Sequence, residues 1–128
     1  MQDLKSKYDE TKMMPKNLEH VLYEKKGNVA YVTINRPDRR NALHTYAYQE
    51  LRACWLDIGR DPNIYCGIVT GAGEAFCAGR DVKFLAEHQE KGIRTPHEDP
   101  TDPAYMWGGG GQPKDVKLEK PLISAING

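Results

Sequence analysis

The run Ile64 to Thr70, IYCGIVT, is close to apolar along its whole length instead of at alternate positions. A strand of that kind needs cover on both faces, the condition of an inner strand in a parallel sheet with helices against it. What surrounds it fits that demand. Upstream, VLYEKKGNVAYVTIN holds two strand-like runs, Val21 to Glu24 and Val29 to Ile34, separated by KKGN, which predicts a hairpin. RPDRRNA supplies a Pro-Asp turn, after which Leu43, Tyr46, Ala47, Leu51, Cys54, Trp55 and Ile58 recur at helical spacing, with Gly59 as the expected stop. DPN is the next turn. Strand, strand, helix, strand is an α/β plan.

The strand then breaks into GAGEAFCAGR, and Asp81 to about Glu90 is predicted to be a helix. A turn that only reverses the chain needs two or three residues, and this junction is longer. A strand-to-helix junction directs free backbone N–H groups at one spot. A dinucleotide fingerprint would need a third glycine where Phe76 stands, and a phosphate loop would need Gly-Lys-Ser/Thr where the chain reads Gly79-Arg80-Asp81. Both fail. What remains is a small-residue turn in which Ala78 and Gly79 admit another molecule to the main chain and the next N–H faces it, an arrangement suited to a carbonyl oxygen gaining negative charge. On spacing alone, a loop that merely connects two elements stands equally open.

Composition narrows the function classes. With 128 residues and 39% hydrophobic content, the chain is one ordinary domain or part of one. Lys plus Arg equals Asp plus Glu at 18 each, so no net field recruits nucleic acid or an anionic membrane, and neither partner is expected. Cys54, Cys66 and Cys77 have no C-x-x-C spacing, which argues against a disulfide framework and a zinc site; all three read as small buried hydrophobes, and no metal is expected. Residues 1–19 are polar, lysine-rich and without periodicity, a loosely held extension with no secretory h-region, and the domain proper is expected over 20–128. No run is long enough to span a bilayer, so a cytoplasmic location is expected.

VAYVTINRPDRRNAL, IVTGAGEAFCAGRDV and the terminal KPLISAING, in that order and at familiar separations, resemble the N-terminal half of the crotonase family, the enoyl-CoA hydratases and isomerases. The resemblance runs from about Val21 to Gly128 and weakens between roughly Glu87 and Val116. It implies a spiral of ββα turns, here truncated after the strand ending near Asn127, and assembly as a homotrimer or hexamer when full length. It also implies an acyl-CoA substrate, with coenzyme A entering as part of that substrate and no permanently bound cofactor. The thioester carbonyl would sit in a hole made by two backbone N–H groups, one of them that of Arg80, where an enolate would be stabilised. Ala78, Asp81 and Val82 match the positions lining the adenine end of CoA. Arg39, Arg40 and Ala42 match those beside its phosphates and pantetheine arm, and guanidinium forks suit phosphate.

The pattern is departed from at Asp38 and Glu74, where several relatives carry lysines near the phosphates, which shifts that task toward Arg39, Arg40 or Lys83. The second oxyanion donor and the acid and base glutamates of the family fall beyond Gly128, so these 128 residues alone are expected to hold half an active site. His44, at the helix start, reads as a capping or surface residue, Asp81 as a helix-start carboxylate, and His88 and His97 have no telling partner. Tyr105, Met106 and Trp107 form an apolar loop tip suited to covering an acyl pocket or a subunit neighbour, and the four glycines after them read as a hinge. Hydration of a 2-enoyl-CoA or movement of its double bond is the leading function. The alternatives are a non-catalytic subunit for CoA-thioester binding or assembly, and another reaction on the same scaffold, such as hydrolysis, dehalogenation or decarboxylation.

Overall fold

The computed structural model describes residues 7–9, 12, 14–92 and 113–128, with Lys114 and Asp115 described in the main chain alone. His97, Tyr105, Met106, Trp107 and the four glycines 108–111 lie outside the described residues. A four-stranded sheet in the order β3-β4-β5-β6 carries the architecture. Strands β3 (Val21–Lys26) and β4 (Val29–Ile34) form the expected hairpin about Gly27-Asn28, pairing Lys26 with Val29 and Val21 with Ile34. Helix α1 (Thr45–Arg60) then crosses over to β5 (Cys66–Gly71), parallel to β4, and β6 (Leu122–Ser124) adds parallel to β5. Helix α2 (Val82–Glu90) leaves the far side of the β5 turn.

One face of this sheet meets α1. Val21, Ala30, Val32, Ile34 and Val69 pack against Leu51, Cys54, Trp55, Ile58 and Ile64, all buried. Of the predicted helical face, Ala47, Leu51, Cys54, Trp55 and Ile58 are buried, while Tyr46 is half-buried against His44 and Phe84; two further corrections follow. Leu43 lies before the helix in an extended segment, and the helix passes Gly59 to end at Arg60, where the Asp61 N–H still reaches Asp57 O at 2.9 Å and Pro62 follows. The last strand also ends earlier than predicted, at Ser124. Beyond it the Ala125 N–H still reaches Val69 O at 2.8 Å, and the Asn127 side chain then takes over, its Nδ2 donating to Gly71 O at 2.8 Å and Gly73 O at 3.0 Å. Of the cysteines only Cys54 is fully buried. Cys66 and Cys77 are half-buried, and all three are free thiols.

The described residues of the N-terminal segment, 7–9, 12 and 14–19, make contacts with one another and with α1. Strands β1 (Tyr8–Asp9) and β2 (Met14–Pro15) pair with each other, and Lys7 and Tyr8 are buried. The Arg60 guanidinium lies over the Tyr8 ring at 5.1 Å. Glu50 of α1, fully buried, accepts the N–H groups of Glu19 and His20 at 2.5 and 2.8 Å. No helix among the described residues is long and apolar enough to cross a membrane.

Candidate functional site

The turn after β5 is forced by close approach. A Cβ on Gly71 would stand 2.3 Å from Phe76 O and 2.4 Å from Ala75 O, so the chain folds back on a residue that must be glycine. Asn41, buried and left-handed at φ 57°, holds that fold. Its Nδ2 donates to Ala72 O at 2.9 Å and Ala75 O at 2.6 Å, while its Oδ1 accepts the Arg36 N–H at 2.8 Å. Asparagine is among the few side chains that tolerate this backbone region.

The same two segments meet again further along, where Leu43 and Arg80 form a parallel bridge. The Leu43 N–H donates to Gly79 O at 2.7 Å, and the Asp81 N–H donates to Leu43 O at 2.9 Å. In a parallel pair of this kind the residue between the two bonding neighbours turns its own N–H to the opposite edge. That residue is Arg80. The neighbouring donors are all occupied: Ala78 N–H by Arg40 O at 3.0 Å, Gly79 N–H by Cys77 Sγ at 3.4 Å, and Val82 N–H by Arg80 O at 3.0 Å. Among the described residues, the Arg80 N–H is the one main-chain donor from 78 to 82 without a partner. Gly79, at φ 98°, has open space beside its Cα.

Asp81 is buried, and its carboxylate is engaged twice. Oδ1 caps α2 by accepting the Phe84 N–H at 3.0 Å, and Oδ2 lies 3.0 Å from Arg36 Nη2. Burial opposes its ionisation, but the Phe84 N–H and the Arg36 guanidinium outweigh burial and hold the carboxyl below the usual carboxylate range. Arg36 Nη1 donates to Ala42 O. Arg36 and Asn41 were missed in the sequence because the partners that tie them to the turn, Asp81 for one and Ala72 and Ala75 for the other, lie on a segment that only the fold brings near.

All seven sequence-predicted site residues lie on the two segments so joined. Arg39 is half-buried and Arg40 exposed at φ 50°, Ala42 is half-buried, and Ala78, Arg80 and Val82 are exposed. Asp38, Glu74 and Lys83 are exposed as well.

His44 is the N-cap of α1. Its Nδ1 accepts the Ala47 N–H at 3.1 Å, and its ring stands edge-on to His20 at 4.5 Å and to Phe84 of α2 at 4.9 Å. An imidazole that accepts at Nδ1 must be neutral there. Burial, then the Arg36 and His20 charges, push its pKa down to about 3. The folded ring thus titrates below the unfolded one, and the unfolded chain binds more protons between the ordinary value of 6.5 and about 3. Its contribution to stability is complete above that window and is lost as pH falls through it. His44→Asn keeps a capping acceptor and removes the titration. By denaturant unfolding, the wild type should lose about 2 kcal/mol relative to this variant between neutral pH and about pH 5; parallel profiles would show that the ring does not titrate with folding.

With this geometry, the sequence profile of the enoyl-CoA hydratase/isomerase family matches residues 24–128. The chain belongs to the enoyl-CoA hydratase/isomerase family. Among curated relatives, it is 35% identical over 101 residues to a mevalonyl-coenzyme A hydratase of Beauveria bassiana, covering 79% of this chain and 36% of that one. It is 38% identical over 111 residues to an (E)-benzylidenesuccinyl-CoA hydratase of Thauera aromatica, covering 84% of this chain and 39% of that one. The crystal structure of an enoyl-CoA hydratase/isomerase from Mycobacterium paratuberculosis superposes with a TM-score of 0.63 at 32% identity, over 88% of this chain and 39% of that chain. The chain thus spans less than half the length of these relatives and carries the crotonase fold over the part it shares with them.

Proposed function

We propose that the whole protein acts on a 2-enoyl-CoA thioester, adding water across the double bond or moving it, with the Arg80 N–H as one oxyanion donor. The free Arg80 N–H carries this reading. It is aimed away from the Leu43 bridge on a turn whose neighbouring donors are taken, and a thioester carbonyl becoming an enolate is the acceptor that gains most from a fixed, unpaired donor. Family membership and the hydratase names of the relatives point to the same substrate class.

In this reading Arg39, Arg40 and Ala42 flank the phosphates and pantetheine arm, and Ala78, Asp81 and Val82 flank the adenine end. The Asp81 carboxylate, N–H and carbonyl are all engaged within the chain, so its part in binding is assigned to packing contact alone. His44 caps α1 through Nδ1, and His88 Nδ1 lies 3.0 Å from Phe84 O. The proton-transfer groups are therefore assigned outside the described residues. The proposal includes no resident cofactor, a homotrimeric or hexameric assembly, and a reducing, cytoplasmic setting that suits three free thiols. The test is to incubate the whole protein with 2-enoyl-CoA thioesters of graded chain length and follow products by mass and by proton NMR of the acyl chain. Gain of one water, or a shifted double bond at unchanged mass, is the expected result. Tight acyl-CoA binding without turnover would move the protein to the binding-subunit class, and failure to bind any acyl-CoA would end the reading.

A further inference from the structure

We infer that Arg36 is the positioning residue of the oxyanion turn, an assignment that rests on the function proposed above. The direction of the Arg80 N–H is fixed by what holds its two neighbours. Gly79 O and Asp81 N–H are both bonded to Leu43, at 2.7 and 2.9 Å. The bridge can aim the N–H only if the extended segment at Leu43 and the helix start at Asp81 keep their spacing. Arg36 spans that spacing. One arm of its guanidinium donates to Ala42 O, the carbonyl just before Leu43, and the other lies 3.0 Å from Asp81 Oδ2, just after Arg80.

The fork is itself held. The Arg36 side chain is 10% exposed and that of Asp81 is 4% exposed, so water competes little for either charge. The Arg36 N–H is bonded to Asn41 Oδ1, and Asn41 ties the same segment to Ala72 and Ala75 at the other end of the turn. Nη1 makes the hydrogen bond to the carbonyl, whereas Asp81 Oδ2 has no aligned hydrogen bond and is held as an ion pair; a planar guanidinium keeps two such contacts in fixed directions at once, which an ammonium on a flexible stem does less well. Arg36 touches no reacting atom in this arrangement. It acts through Ala42, Leu43 and Asp81 on the donor.

The test uses two variants of the whole protein. Arg36→Lys keeps the charge but lacks the fork, and Asp81→Asn keeps a capping acceptor for the Phe84 N–H while removing the charge that Arg36 pairs with. Folding is checked by circular dichroism and thermal unfolding. Three readouts follow: kcat on crotonyl-CoA, the dissociation constant of free CoA, and the infrared carbonyl stretch of bound butyryl-CoA carrying carbon-13 at the thioester carbonyl. A misplacement of a catalytic group by about 1 Å can cost about 10²-fold in rate. The expected result is therefore a kcat lower by about 10- to 10²-fold, a carbonyl downshift on binding that shrinks toward its value in water, and, for Arg36→Lys, free-CoA affinity within about twofold of wild type, because CoA alone presents no thioester carbonyl to the turn.

A folded Arg36→Lys or Asp81→Asn protein with the full wild-type carbonyl shift and kcat overturns the inference. So does a parallel loss of free-CoA affinity and carbonyl shift, which would make Arg36 a general support of the binding surface. Failure of the underlying functional reading looks different: wild type itself would bind butyryl-CoA without shifting its carbonyl.

Discussion

Arg80→Pro in the whole protein is expected to lower turnover of an enoyl-CoA by about 10²-fold or more, the cost typical of deleting one oxyanion donor, while Arg80→Ala keeps most of the rate. Proline removes the N–H and locks φ near −65°. Alanine removes the exposed guanidinium and leaves the main chain intact. The pair separates two accounts of one residue, because Arg80 presents both a free N–H and a cation on the same turn. Proline must also fit the backbone, and it restricts the residue before it. Here that residue is Gly79 at φ 98°, which is glycine for its own reasons. Circular dichroism and thermal unfolding of both variants are therefore part of the measurement. If the two variants are folded and equally damaged, the guanidinium is the contact that matters, and the turn recognises charge instead of stabilising an oxyanion. If neither is damaged, Arg80 has no part in the chemistry.

What could be read from the sequence divides by range. The hairpin was legible because alternation over Val29 to Ile34 and the Gly27-Asn28 turn are local signals. The α1 face was legible because Ala47, Leu51, Cys54, Trp55 and Ile58 repeat at helical spacing and nothing competes with that period. Leu43 fits the same spacing only by coincidence, since the bridge to Arg80 draws it into an extended conformation. The Arg80 turn could be located because three motifs fall in order. What makes it a turn with a free donor could not, since Arg36, Asn41 and Leu43 act on it from some forty residues upstream. Lys7 and Tyr8 show the limit most plainly. By composition they belong to a polar tail, and their burial depends on α1 residues with which they share no local pattern.

Glu50→Ala is expected to cost about 3–5 kcal/mol of folding free energy, the range for removing one partner of a buried ion pair. Glu50 is fully buried and Lys7 is 2% exposed, with Lys7 Nζ 3.8 Å from Glu50 Oε2 and its own hydrogen bond made to Asn17 O at 2.6 Å. At 3.8 Å the pair is ionic and not hydrogen-bonded. The stronger attachment is Oε1, which takes the N–H groups of Glu19 and His20. Alanine leaves an unpaired buried ammonium and two donors without their acceptor. Glu50→Gln keeps the acceptor and loses the charge, so its cost should be smaller, roughly 1–3 kcal/mol. The double variant Lys7→Met/Glu50→Gln should recover part of that, because no buried charge then remains. The loss should be local first: by hydrogen exchange, the Glu19 and His20 amides should open before the β4 and β5 ladder. That opening bears on function, since the His20 ring stands against His44 and His44 against Phe84, on the helix that Asp81 caps. Unfolding within about 0.5 kcal/mol of wild type, the range of an ordinary surface substitution, would show that the segment before β3 is held by something other than Glu50.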